Sequence, residues 1–99
     1  MKYRVLLSPE AIDDFQGLYD YLLPKAGEAV ARDYVGKIYD YCMGFETFPE
    51  RGTRRDERPG LRIVGFQRKA TIAFHVGDGV VTIVRLFHGG QNVVFSDDD

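Results

Sequence analysis

Hydrophobic and polar residues follow two different periods along this chain, and the period changes near residue 60. Tyr3, Val5 and Leu7 alternate with Arg4 and Leu6, which predicts a short first strand. Ser8-Pro9-Glu10 then predicts a helix start. Serine caps free N–H groups, proline suits the first helical position, and the acid complements the helix dipole. Ala11, Ile12, Phe15, Tyr19, Leu22 and Leu23 fall on one helical face, with Asp13, Asp14, Gln16 and Asp20 on the other. Pro24-Lys25-Ala26-Gly27 is expected to break this helix after about four turns. A second helix is predicted from Glu28 to Thr47, with Ala31, Tyr34, Val35, Ile38, Tyr41, Cys42 and Phe45 spaced three and four apart. Phe48-Pro49 ends it, because the residue before a proline resists the helical conformation.

The second half switches to strands. Leu61 to Phe66, Lys69 to Val76 and Val80 to Phe87 are rich in β-branched and aromatic residues. Gln67-Arg68 and Gly77-Asp78-Gly79 separate them, lengths that fit tight hairpins. Two amphipathic helices joined by a short turn predict an antiparallel helical hairpin. That hairpin has only the sheet to bury its stripe against. The expected fold is α+β, a helical hairpin packed on one face of a small antiparallel sheet, in the order β-α-α-β-β-β. Pattern alone does not assign the first strand a neighbour. Residues 1–95 are expected to form one domain. Gln91 to Phe95 are apolar enough to pair or pack, and 96–99, Ser-Asp-Asp-Asp, are expected to be a disordered acidic tail.

Composition narrows the classes. The 99 residues are 44% hydrophobic and 13% aromatic, enough for one modest core. No apolar run approaches the ~20 residues of a membrane span, and the N-terminus lacks the h-region of a signal peptide. The expected location is the cytoplasm. Cys42 is the single cysteine, which excludes an intrachain disulfide, and its place in a helical stripe suits packing. Two histidines and one cysteine make no structural zinc site. No cofactor or metal is expected.

Charge is unevenly spread. Between Phe48 and His75 there are seven Lys/Arg against three acids, whereas the whole chain is −2. Arg51, Arg54, Arg55 and Arg58 crowd the loop that joins the helices to the strands. A solvated loop and a surface that meets phosphates or carboxylates both fit this pattern. Arg85 interrupts an apolar strand on the same predicted face as Ile83 and Phe87, so it requires a partner or a route to water. An internal salt bridge to a helix acid and a target contact are both open. Arg62 shares a face with Val64 and Phe66 and stands under the same alternatives. His75 is expected at the surface or packed. Tyr19, Tyr34 and Tyr41 belong to the buried stripe, and Tyr39 is expected to be exposed.

Several short motifs occur in a definite order: Ser8-Pro9-x-Ala11-x3-Phe15-x6-Leu22, then Phe48-Pro49-x2-Gly52, Gly60-Leu61-Arg62, and Val81-x-Ile83-Val84-Arg85-Leu86-x-His88. Together with the predicted element order they resemble the ParE/RelE superfamily of bacterial toxins, over about residues 3 to 92. The resemblance implies a toxin of a type II toxin–antitoxin system. One branch of that superfamily binds and poisons DNA gyrase, and the other enters the ribosomal A site and cuts mRNA.

Metal-independent RNA cleavage requires a base for the 2′-hydroxyl, cations for the phosphorane and an acid for the leaving oxygen. Arg62 and Arg85 would supply charge, and His88 would act as acid or base near neutral pH. Arg62 occupies the position of the mRNA cutters' arginine on their second strand, and His88 stands where some mRNA cutters place a histidine and where the gyrase-poison branch commonly carries one too. Gly90 stands where an arginine is typical of both branches, and the terminal tyrosine of many mRNA cutters is missing. A net charge of −2 also sits badly with a polyanionic ribosomal partner. The expected function is therefore a gyrase poison, an inhibitor with no confident catalytic residues. An mRNA endonuclease and a degenerate toxin that only binds its antitoxin are the alternatives. Arg51, Arg54, Arg55, Arg58, Arg62 and His88 are the expected target contacts. The resemblance further implies a cognate antitoxin from the same operon, of ribbon-helix-helix type, and a toxin–antitoxin hetero-oligomer. Leu6, Leu18 and Tyr39 are the expected antitoxin contacts.

Overall fold

A computed structural model describes residues 2–67 and 69–88; the expectations for Gly90, for Gln91 to Phe95 and for the acidic tail lie outside them. The chain runs β1 (Arg4–Leu7), α1 (Pro9–Ala26), α2 (Glu28–Met43), a 3-10 turn (Gly44–Glu46), β2 (Thr53–Arg54), β3 (Leu61–Phe66), β4 (Ala70–Gly77) and β5 (Val80–His88). The expected α+β architecture is present. One five-stranded sheet in the order β1-β5-β4-β3-β2 carries both helices. It is mixed rather than wholly antiparallel, because β1 lies parallel to β5, with Leu7 opposite Ile83. The connection from β1 to β5 runs through both helices and then β2, β3 and β4, long enough to permit parallel pairing. Thr53 and Arg54 add a short edge strand against Ile63 and Arg62 that the residue pattern did not predict.

Ser8 opens α1 as expected: its Oγ accepts from Ala11 N–H at 3.0 Å. The same hydroxyl donates to the Val84 carbonyl at 2.8 Å, while Ser8 N–H donates to the Ile83 carbonyl at 2.9 Å. One residue thus ends β1, starts α1 and ties both to β5. Helix α1 continues through Pro24 to Ala26 and ends at Gly27, the last residue of the expected break. A proline in the last turn costs one hydrogen bond, and Gly27 (φ 89°) supplies the stop, its N–H bonded to the Leu23 carbonyl. Helix α2 ends at Met43 rather than Thr47, and the chain tightens into the 3-10 turn before Phe48-Pro49.

The buried face of α1 is Ala11, Phe15, Leu18 and half-buried Leu22, a 4-3-4 spacing. This corrects three expectations. Ile12 and Leu23 are 55% and 40% exposed, whereas Leu18 is only 2% exposed and is not available for partner contact. Apolar residues cover more than half of this helix's circumference, so two stripes were open, and contact with β5 selects one. From α2, Ala31, Ile38 and Cys42 are fully buried, and Phe45 of the 3-10 turn stacks on Phe74 of β4 at 4.4 Å between ring centroids. Tyr41 meets both Phe45 and Phe66 at 5.5 and 5.2 Å. Burying each such ring contributes about 1.5–3 kcal/mol.

The β4–β5 turn is Asp78-Gly79, both at positive φ, the backbone that a two-residue hairpin favours. Further along the pair the register shifts, because Phe74 faces Ile83 while Ala73 faces Arg85. One extra residue on β5 reverses the alternation beyond Ile83. Arg85 therefore stands on the opposite face from Ile83, contrary to the simple alternation, and shares its face with Phe87.

Candidate functional site

Two surfaces carry the residues singled out by the sequence. The first is the corner where α2 passes into β2 and β3. Arg51 lies over three aromatic rings, with its guanidinium carbon 5.1 Å from the Tyr41 centroid, 5.6 Å from Phe48 and 5.9 Å from Phe45. Its Nε donates to the Phe48 carbonyl at 3.2 Å. The Arg51 carbonyl in turn accepts from Arg62 Nε at 2.9 Å. Gly52 follows at φ 71°, and a Cβ there would stand 1.9 Å from the Ile63 carbonyl oxygen. Only glycine fits, so the loop is clamped where it meets the sheet.

The other arginines divide. Arg55 pairs with Glu57 through both carboxylate oxygens, the Nε–Oε1 bond being 2.9 Å. That bond holds the Glu57 carboxyl below the usual carboxylate range and raises Arg55. Arg54 is exposed, and Arg58 is half-buried in the turn, where its carbonyl accepts from Leu61 N–H. Arg54 pairs with Arg62, so both stand on the helix-bearing face of the sheet, beside Arg51.

The three residues that would serve RNA cleavage are not gathered. Arg62 is opposite Phe74, whereas Arg85 is opposite Ala73, so they rise from opposite faces of the sheet. Arg85 curls to the strand edge, where its Nε donates to Asp14 Oδ2 at 2.7 Å and its Nη2 to Oδ1 at 3.2 Å. Of the two readings of Arg85 left open by the sequence, the structure has the salt bridge to a helix acid. His88 pairs with Ala70 and lies at the far end from Arg62, roughly 16 Å away from strand spacing and rise. Its ring rests on Tyr21 at 5.2 Å, and Lys25 Nζ lies 4.8 Å from the same tyrosine ring.

Reading by helical face placed Asp14 on the polar side of α1 and gave it no role, whereas it is largely buried against β5. Among the described residues β5 has no strand on that side beyond Leu7, and there Asp14 Oδ2 accepts from Leu86 N–H at 2.9 Å. A signal existed: position 14 lies three after Ala11 and four before Leu18, on the shoulder of the stripe that is buried.

The second surface is a groove of ≈ 650 Å³ between α1, α2 and the end of β1. Leu7, Ile12, Phe15, Tyr19, Val35 and Tyr39 line it, with Gln16, Arg32 and Asp40 at its polar margin. Tyr39 is 45% exposed, as expected. Leu6, also on β1, is 43% exposed but stands on the sheet face opposite to Leu7, away from the groove. Cys42 is buried, and burial pushes its thiol up to about 12, which makes it a packing residue with no thiolate at neutral pH. The Tyr34 hydroxyl is buried, has no hydrogen-bond partner among the described residues, and is raised by desolvation. No cluster of metal-ligating side chains occurs among the described residues, and no helix there is long and apolar enough to cross a membrane.

This arrangement of hairpin and sheet recurs in solved structures. A chain of the chromosomal ParDE toxin–antitoxin system from P. aeruginosa superposes with a TM-score of 0.77 at 20% identity, covering 88% of this chain and 96% of that one. A chain of the RelBE2 toxin–antitoxin complex from Mycobacterium tuberculosis gives 0.69 at 17% identity, covering 92% and 95%. At such identities the likeness is one of fold. Among curated proteins, none matches this sequence. The family described as the ParE toxin of type II toxin–antitoxin system, parDE, matches over residues 5–93. The chain belongs to that family of toxins.

Proposed function

We propose that this toxin acts by binding and inhibiting DNA gyrase, and that a cognate antitoxin of ribbon-helix-helix type neutralises it. The observation that carries the choice of target is the dispersal of Arg62, Arg85 and His88. A phosphorane needs its cations and its acid within hydrogen-bond reach of one phosphate. Here one arginine is bonded to a loop carbonyl, the other to Asp14, and the histidine rests on Tyr21 at another corner. Recognition of a protein target asks only for a shaped surface, which the clamped arginine loop offers.

The groove between the helices supports the antitoxin half of the reading. An apolar trough with a polar margin suits a segment that orders on binding and inserts apolar side chains at helical or extended spacing. Tyr39 belongs to that surface and Ile12 takes the place expected of Leu18, whereas Leu6, opposite Thr82, stands on the other face of the sheet.

A supercoiling assay with purified gyrase tests the target. Micromolar toxin is expected to inhibit supercoiling and leave cleaved DNA, and full activity at that concentration would sink the reading. Primer extension on translated mRNA provides the opposing outcome, since A-site cuts that vanish in Arg62→Ala would establish the endonuclease instead. Absence of growth arrest on expression without antitoxin would mark a chain that has kept only antitoxin binding.

A further inference from the structure

Phe48 is 62% exposed, the most exposed of the large apolar residues described. It is also held in place. Its carbonyl accepts from Arg51 Nε, its N–H donates to the Gly44 carbonyl at 3.2 Å, and the Arg51 guanidinium lies against its ring. Arg51 is in turn held by Arg62, and Gly52 sits against the Ile63 backbone. An aromatic side chain kept at the surface by its own backbone bonds loses little further freedom on binding, which suits the anchor of a protein interface.

We propose that Phe48 is the apolar anchor of a docking surface for an acidic segment of the protein target, and that Arg51 is the residue that presents it. Charge selects the occupant. Arg54 is exposed on the side of the sheet where half-buried Arg51 and Arg62 also stand, with Glu50 as the acid nearest in the chain, so one outward cation on a positive corner suits a carboxylate-bearing face. The same arrangement disfavours a phosphate backbone as partner. Nucleic-acid surfaces require several cations turned outward, and here Arg51 covers rings, Arg62 bonds a carbonyl and Arg55 is paired with Glu57. A concavity of ≈ 290 Å³ lined by Tyr3, Thr47, Phe48, Pro49 and Glu50 adjoins the ring and gives a partner side chain somewhere to enter. None of its residues lines the groove between the helices, so an antitoxin seated in that groove leaves the corner open.

The inference rests on the reading that the target is a protein. Wild type, Phe48→Ala, Phe48→Leu and Arg54→Glu are titrated against purified gyrase with and without DNA at two salt concentrations, and against the antitoxin. Phe48→Ala is expected to weaken gyrase binding about tenfold or more at an unchanged melting temperature, with Phe48→Leu retaining most of the affinity. Arg54→Glu is expected to weaken it too, and antitoxin affinity is expected to stay within about twofold for all three variants, as for contacts outside an interface. Gyrase binding by Phe48→Ala equal to wild type overturns the anchor alone. A loss confined to antitoxin binding reassigns the corner to that partner and overturns it as well. Binding that needs DNA, falls steeply with salt and ignores Phe48 makes the corner a nucleic-acid contact. Failure of the wild-type chain to bind gyrase in any form removes the underlying reading, and this assignment with it.

Discussion

Asp14 carries three hydrogen bonds at once, two from Arg85 and one from Leu86 N–H. Its side chain is 17% exposed and that of Arg85 is 30% exposed, so water only partly replaces what is lost on removal. Asp14→Ala is expected to cost about 2–3 kcal/mol of stability, because it strands a half-buried cation and a strand-edge donor together. Asp14→Asn keeps an acceptor for the backbone and is expected to cost about half as much. Urea unfolding of both variants checks this, and midpoints equal to wild type would show the pair to be ornamental. Cys42 makes a second residue-scale prediction. Burial raises its thiol to about 12 in the fold, from an ordinary value of 9.0. The unfolded chain therefore releases that proton first, and stability is retained below about pH 9 and declines as pH rises toward 12. A thiol reagent at neutral pH is expected to leave native Cys42 untouched and to label it promptly in denaturant. Prompt native labelling would place the thiol at the surface.

At the scale of the elements, glycine positions separate two kinds of cost. Gly79 in the β4–β5 turn has open space around a would-be Cβ, so Gly79→Ala meets only the positive-φ penalty, about 1 kcal/mol. Gly52 has the same backbone sign and in addition meets the Ile63 carbonyl. Gly52→Ala is therefore expected to cost more than twice as much and to loosen the loop from Phe48 to Arg58. Limited proteolysis reads this directly: cleavage within that loop should rise sharply in Gly52→Ala and stay at the wild-type level in Gly79→Ala. The helices show where local pattern was ambiguous. Both stripes of α1 are apolar, one through Ala11, Phe15, Leu18 and Leu22, the other drawing in Ile12, Tyr19 and Leu23. Nothing local distinguishes them, and only the surface offered by β5 does. The strands were legible because their period, aromatic content and turns agree. The bulge at Ile83–Val84 was not: there Ser8 bonds two successive carbonyls of a distant strand, a contact no local run of residues encodes.

For the molecule as a whole, the groove left by that choice of stripe has consequences. Ile12 and Tyr39 face it from opposite helices, and covering them removes apolar surface from water. Antitoxin is expected to raise the melting temperature of the toxin, by the equivalent of about 2.7 kcal/mol at a hundredfold excess over Kd. Placing a charge in the groove with Tyr39→Asp should weaken that complex by about tenfold or more while leaving the proposed inhibition of gyrase intact. An unchanged midpoint on adding antitoxin, or full affinity in Tyr39→Asp, would remove the groove from the antitoxin's path.

The sequence by itself determined the helical hairpin, the three-stranded meander and the order in which they come, because each depends on periodicity and turn chemistry within about 20 residues. It also located the arginine loop and required that Arg85 find a partner. Only the tertiary structure decided which partner that was, where β1 pairs, which stripe of α1 is buried, and that Arg62, Arg85 and His88 stand apart. Those outcomes depend on contacts between residues some 70 positions apart in the chain, such as Asp14 with Arg85 and Ser8 with Val84. Such contacts follow from packing and strand register, and no local run of residues encodes them.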